Sequence, residues 1–227
     1  MLPAMARLAR VVIPNLPHHV TQRGNGRARV FFSDDDCACY LTLLKSACAA
    51  AHVRCLGYVL MPSHVHLILV PRDADGLRKA MSSVHRAYAG RINARRRKTG
   101  HFWQGRFGCV AMDNDHALVA LRYVLMNPVR ARLCAKPGHW RWSSAKAYLK
   151  GRDDGLTETA FMRGLCPDFK TLLAESPEQE MAEMHLRRAE TIGRPLGSAV
   201  FLGKLERKLD RPLKPAKRGP KPTGKKS

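Results

Sequence analysis

Acidic residues are scarce in this chain. Among 227 residues there are 18 Asp and Glu against 40 Lys and Arg, a formal charge of +22 with a sequence pI near 10.4. A field of that size points to a polyanionic partner, and nucleic acid is the usual one. Long apolar runs are also missing. No stretch approaches the roughly 18 uninterrupted apolar residues of a membrane span, and no basic amphipathic helix stands alone. A membrane partner is therefore not expected. The seven cysteines, Cys37, Cys39, Cys48, Cys55, Cys109, Cys134 and Cys166, include no C-x-x-C pair. Their odd number and spacing argue against a zinc ribbon and against a disulfide framework. Several fall at apolar positions and read as small buried hydrophobes. The first residues lack the apolar run of a signal peptide. A reducing cytoplasm, with association to the nucleoid, is the expected location.

What remains is ordinary for a packed protein. Hydrophobic residues make up 45% of the chain. The length suits one domain with an appendage, or two small domains. The most informative stretch runs from Gly57 to Pro71. It reads as two buried strands, residues 55–61 and 64–70, joined by a tight turn at Pro62-Ser63. Side chains alternate along a strand, so His64, His66, Ile68 and Val70 share one face, while Val65, Leu67 and Leu69 share the other. Residues two apart on one face are about 7 Å apart, and two imidazoles at that separation can converge on one metal ion. A purely structural strand gains more from aliphatic residues, because a buried imidazole needs a partner. The plainer alternative is a pair of half-exposed hairpin residues.

Upstream, residues 8–22 carry a first strand ending near Gln22. Arg23-Gly24-Asn25-Gly26-Arg27 follows, its glycines favouring a turn with positive φ. It is either a surface hairpin loop or a backbone cradle with two guanidiniums for phosphates or bases. Ser33 and Asp34 cap a helix that ends near His52. Its apolar stripe contains Cys37, Tyr40, Leu41, Leu44 and Cys48. A second helix starts around Asp75, with Leu77, Met81, Val84, Tyr88 and Ile92 as its buried stripe. Tyr88 is core there, not a nucleophile. The polar side carries Arg86 and runs into Arg95-Arg96-Arg97-Lys98, a continuous basic surface for phosphates.

Residues 105–112 read as a fourth strand. It is preceded by His101-Phe102-Trp103-Gln104-Gly105-Arg106-Phe107. Aromatics interleaved with Gln and Arg suit single-stranded DNA, Trp103 stacking bases while Gln104 and Arg106 read edges or hold phosphates. The plain reading is an edge strand with Phe102 and Phe107 packed inward. Asp113-Asn114-Asp115 caps a third helix, stopped by Pro128. Tyr123 and Asn127 lie one turn apart on it. On the residues alone they are a boundary side chain and a helix-end cap. The sharper alternative turns the hydroxyl and the amide oxygen toward a metal held by the sheet.

The order strand, helix, strand, strand, helix, strand, helix fits one antiparallel sheet of about four strands with helices on one face, an α+β sandwich of ferredoxin-like kind. Residues 1–150 form this domain. Residues 151–210 form a helical extension, with helices expected at 156–173, 177–191 and 201–206. Residues 211–227 hold seven basic and no acidic side chains. This tail is expected to be disordered when free. Around Arg218-Gly219-Pro220-Lys221-Pro222 it is either a solubilising tail or a minor-groove segment.

The chain resembles the REP-associated tyrosine transposases, a branch of the single-tyrosine HUH transposases. The resemblance rests on Arg23-Gly24-Asn25-Gly26-Arg27, Met61-Pro62-Ser63-His64-Val65-His66-Leu67, Trp103-Gln104-Gly105-Arg106-Phe107 and Arg122-Tyr123-Val124-Leu125-Met126-Asn127-Pro128-Val129-Arg130, in that order over residues 8–150. The loop 23–27 departs from the family's Gly-Arg-Glu-Asn element, since no Glu follows. The resemblance implies an HUH endonuclease fold and a metal-dependent strand transferase acting on single-stranded or hairpin, REP-like DNA. It makes Tyr123 the nucleophile of a 5′-phosphotyrosine intermediate, and His64, His66 and Asn127 the ligands of Mg²⁺ or Mn²⁺; imidazole also suits zinc. Contacts to DNA fall to Arg23, Asn25, Arg27, Arg86, Arg95, Arg96, Arg97, Trp103, Gln104, Arg106, Arg122, Arg130, Arg218 and Lys221. The protein is expected to work as a monomer or homodimer. The alternative is a non-catalytic, domesticated DNA-hairpin-binding protein, which would bind without metal and never nick. A replication initiator or relaxase is a third reading, but those often carry paired tyrosines or a helicase domain.

Overall fold

The computed structural model describes residues 10–174, 186 and 193–213. Four strands, β1 His18–Arg23, β2 Val53–Met61, β3 His64–Pro71 and β4 Gly108–Ala111, form one sheet in the order β2-β3-β1-β4. Every pairing is antiparallel. Helix α1 (Asp34–Ala50) joins β1 to β2, and α2 (Gly76–Arg95) joins β3 to β4. This is the ferredoxin-like α+β topology. Ser33 caps α1, its hydroxyl accepting from the Asp36 N–H. The stripe Leu77, Met81, Val84, Tyr88 and Ile92 of α2 is buried throughout.

The helices do not all lie on one face. α1 and α2 cover the side to which Val20, Val65, Leu67 and Leu69 point. The other side, carrying Val59, Ile68, Val70 and Val110, is covered by α3 (Asn114–Arg130) through Leu121, Val124 and Leu125. Burying an aliphatic side chain of this kind is worth about 1.5–3 kcal/mol, so a sheet apolar on both faces needs both layers. Gly57 lies directly under α3. A Cβ there would lie 2.5 Å from Leu121 Cδ1, so glycine lets α3 settle onto β2 beside a register shift.

Several boundaries differ from expectation. β1 and β4 are shorter than the sequence suggests. α3 continues through Pro128 to Arg130. Proline there removes one bond to the preceding turn, yet the Ala131 N–H still donates to Asn127 O. Asn127 therefore sits inside the last turn of α3 and is no end cap.

The stretch expected as one helix at 156–173 is broken. Thr157 bridges to Cys55 on β2, and two short helices follow, α5 (Ala160–Leu165) and α6 (Phe169–Leu172), after α4 (Ala145–Lys150). Met162 and Phe169 are buried in the same core as α3. The expected helix at 177–191 lies outside the described residues apart from position 186. Leu196 pairs with Met112 at the end of β4, and α7 (Ala199–Leu209) packs against Val11, Ile13 and Ala111 through Leu205. No helix among the described residues is long and apolar enough to cross a membrane.

Candidate active site

β3 enters the sheet at His64, and its alternation turns His64 and His66 toward the α3 layer. The two rings are 4.9 Å apart and nearly perpendicular, at 83°. His64 is half-exposed, with Nδ1 3.0 Å from the Ser63 hydroxyl. His66 is 2% exposed, with Nδ1 3.0 Å from Nε2 of His19 on the adjacent strand β1. Its pKa lies well below the ordinary imidazole value, first through burial, then through His19, His64, Arg23 and Arg130. His66 is thus neutral at physiological pH, the form that ligates metals.

α3 brings Tyr123 to the same place. Its ring stands edge-on to His66 at 5.3 Å and to His19 at 5.8 Å. The Tyr123 side is held by Arg130, two turns on, whose guanidinium lies 4.7 Å over the ring and donates to the Tyr123 carbonyl. Asn127 is half-buried one turn beyond Tyr123.

Among the described residues no group of three or more His, Cys, Asp or Glu is arranged as a metal cage. The donor chemistry here is two imidazoles with an amide nearby. Each imidazole spends Nδ1 on a protein partner, so Nε2 is the nitrogen it would offer an ion. Such a set fits a divalent ion that keeps positions for phosphate oxygens and water.

The loop at 23–27 and the strip at 102–106 form one rim next to this centre. The Asn25 N–H donates to Phe102 O at 2.9 Å, the Gln104 N–H to Arg23 O at 2.8 Å, and the Gly24 N–H to Ser63 O at 2.9 Å. Gly24 is required here, since a Cβ would meet Ala28 O at 2.3 Å. Asn25, Arg27, Gln104 and Arg106 are exposed along the rim, and Arg23 is half-buried. The turn Asn25–Arg27 is a single 3₁₀ turn with Gly26 at φ 58° and Arg27 at φ 62°.

Other residues assigned to DNA are not brought here. Trp103 turns inward: its indole N–H donates to His85 O at 3.0 Å, and its ring packs on His85 at 4.7 Å beside Tyr40 and Tyr88. It is partly buried against the aromatic cluster between α1 and α2, which holds its ring in place. Arg122 does not face DNA either. It is 3% exposed and donates to Leu172 O at 2.9 Å and Ala174 O at 2.7 Å, fastening the end of α6. Arg95 makes a two-pronged ion pair with Asp36, at 2.5 and 2.8 Å. Arg96 lies 3.9 Å over the Phe32 ring. Arg86 and Arg97 are exposed, but they belong to α2 and its end, in the layer opposite Tyr123. Arg218 and Lys221 lie outside the described residues.

His19 is the site residue that sequence reasoning missed. A doublet His18-His19 on a strand sends one imidazole to each side, and that was its available signal. His18 takes the structural share, accepting from the Ile13 N–H at 3.0 Å and donating to Leu16 O at 2.8 Å.

A family sequence model described as "Transposase IS200 like" matches residues 12–127. A solved structure of a REP-associated tyrosine transposase bound to a REP hairpin superposes with a TM-score of 0.52 at 19% identity, covering 68% of this chain and 90% of that one. At that identity the likeness shows the fold. A crystal structure of a candidate transposase from Deinococcus radiodurans R1 reaches a TM-score of 0.36 at 15% identity, covering 56% and 92%. No curated protein matches the chain.

Proposed function

The chain belongs to the IS200-like transposase family, and on that premise we propose that it cuts and rejoins single-stranded or hairpin DNA through a tyrosine-linked intermediate. The observation that carries this reading is the Tyr123 ring set edge-on, 5.3 Å from the buried imidazole of His66. In the reaction the Tyr123 phenol oxygen attacks a backbone phosphorus. The bond from phosphorus to the 3′ oxygen breaks, leaving a 5′-phosphotyrosine and a strand ending in 3′-OH. The phenol proton leaves to water, and the departing 3′ oxygen takes one up. The new ester retains the energy of the old one, so the 3′-OH of another strand can reverse the step.

His64 and His66 through Nε2, with the Asn127 amide oxygen, would hold Mg²⁺ or Mn²⁺. When bound, that ion withdraws charge from the scissile phosphate and stabilises the leaving oxygen. Arg130 steadies the Tyr123 ring. The rim of Asn25, Arg27, Gln104 and Arg106, with Arg23 behind it, guides the strand to the site by phosphate contacts. The bound REP hairpin of the structural neighbour and the +22 charge of this chain both support a DNA hairpin as partner.

The test is incubation with labelled hairpin DNA carrying single-stranded flanks and Mn²⁺ or Mg²⁺, followed by a denaturing protein gel. A covalent protein–DNA band is expected, absent in Tyr123→Phe, with DNA binding retained. Cleavage that survives in Tyr123→Phe refutes the nucleophile. Tight binding with no nicking of any hairpin favours a non-catalytic role.

A further inference from the structure

We propose that His19 is a positioning residue: its Nε2 accepts the Nδ1–H of His66 and thereby locks His66 in the tautomer whose Nε2 can ligate a divalent ion. This rests on the metal-dependent reading above and adds to it a residue outside the two-histidine motif.

The placement follows from the register. Thr21 of β1 stands opposite His66 of β3, and His19 opposite Ile68, so His19 is the diagonal neighbour of His66 on the same face. Both rings are sealed under α3, with His19 wholly buried and His66 at 2% exposure. They stack at 5.1 Å with only 15° between planes, and the facing nitrogens are 3.0 Å apart. Two ring nitrogens facing each other at that distance have one proton between them: one ring donates and the other accepts. If His66 donates, its Nε2 carries the lone pair a cation needs. If His19 donates, His66 holds its proton on Nε2 and cannot ligate through it. Ligating histidines generally give their second N–H to a fixed acceptor, which sets both tautomer and ring angle. Here the acceptor is another imidazole, and the same ring stands edge-on to Tyr123 at 5.8 Å. One side chain thus borders both the ligand and the nucleophile. A packing role alone would be served better by an aliphatic residue, because burying an imidazole is costly without a polar partner.

The experiment uses the full chain. Long-range ¹H–¹⁵N spectra of the metal-free protein report the tautomer of His66, and EPR of free Mn²⁺ reports affinity. In wild type, His66 is expected as the Nδ1–H form. His19→Phe keeps a flat ring but removes the acceptor; His66 then shifts toward the Nε2–H form, and Mn²⁺ affinity falls roughly 10–100-fold. His19→Gln, whose amide oxygen can accept, restores most of that affinity. An Nε2–H form of His66 in wild type overturns the assignment without any variant. So does a folded His19→Phe that binds Mn²⁺ as tightly as wild type. Wild-type protein that shows the Nδ1–H form yet binds no Mn²⁺ overturns the metal-dependent reading itself, and the positioning role with it.

Discussion

Arg122 points its guanidinium at the carbonyls of Leu172 and Ala174, away from water. Arg106, with the same charge, is exposed on the rim. Their substitution by alanine should therefore separate stability from binding. Arg122→Ala removes two hydrogen bonds from a buried guanidinium to partly exposed carbonyls, and bonds of a charged group are worth about 1.5–3 kcal/mol each. A loss of about 2–4 kcal/mol in urea denaturation is expected, with DNA affinity of the folded protein unchanged. Arg106→Ala should leave the urea midpoint in place, weaken binding to every hairpin, and lower the salt slope of log affinity by about one. Equal DNA affinity in wild type and Arg106→Ala would remove Arg106 from the interface. The sequence displays the charge of these arginines but not their surroundings. Arg95 meets Asp36 across 59 residues of chain, and Trp103 is claimed by His85, Tyr40 and Tyr88 from two other elements. His64 and His66 were legible because a strand's alternation is local. His19 was not, because its partner is fixed by the pairing of β1 with β3.

At the scale of elements, the proposed cleavage depends on how closely α3 lies on the sheet. The helix carries Tyr123, and its contact with β2 is set where Leu121 meets Gly57. Gly57→Ala puts a methyl 2.5 Å from Leu121 Cδ1 in a fully buried layer. Overpacking of this kind costs about 1–3 kcal/mol and is relieved by a shift of the Leu121 side chain or, where the packed layer blocks that, of the helix carrying it. Cleavage should fall more than hairpin binding in Gly57→Ala, read as covalent adduct formed per protein bound. Adding Leu121→Val, which vacates the space, should recover both stability and cleavage. No recovery in the double variant would mean that α3 is not displaced from this point. The hairpin β2–β3 and the stripe of α2 were readable as local periods of two and 3.6. The placement of α3 on the second face was not read, although β3 carried the sign of it. Ile68 and Val70 are apolar on the side of the histidines, Val65, Leu67 and Leu69 on the other, and a strand apolar on both sides asks for cover on both. The break at 156–159 could not be seen from periodicity, because it arises when Thr157 and Glu158 pair with Cys55 on β2.

For the whole molecule, the same burial that keeps histidines neutral makes the fold sensitive to acid. His18 is pushed down to about 4, mainly by burial, and His85 to about 3 by burial alone. His66 is also lowered well below the ordinary value. In the unfolded chain each takes up a proton near pH 6.5. Below that pH the unfolded state binds protons that the folded state refuses, so the stability these groups contribute is complete above 6.5 and declines as pH falls toward their folded values. The slope is about 1.4 kcal/mol per pH unit for each proton taken up, or roughly 2 kcal/mol each for His18 and His85 by pH 5. The Asp36 carboxyl does not enter this window. Burial alone would raise the Asp36 carboxyl, but its bonds to Arg95 and the Phe32 N–H leave it below its ordinary value, so it acts only below about pH 4. The urea midpoint of the metal-free protein is expected to fall steadily between pH 7 and pH 5. His85→Phe should lessen that fall by the slope of one proton, whatever it does to absolute stability, since only the difference between the two pH values is read. A midpoint that is flat across the interval would mean that these imidazoles accept protons without unfolding, and that the sealed layers above and below the sheet open to water more readily than their packing implies.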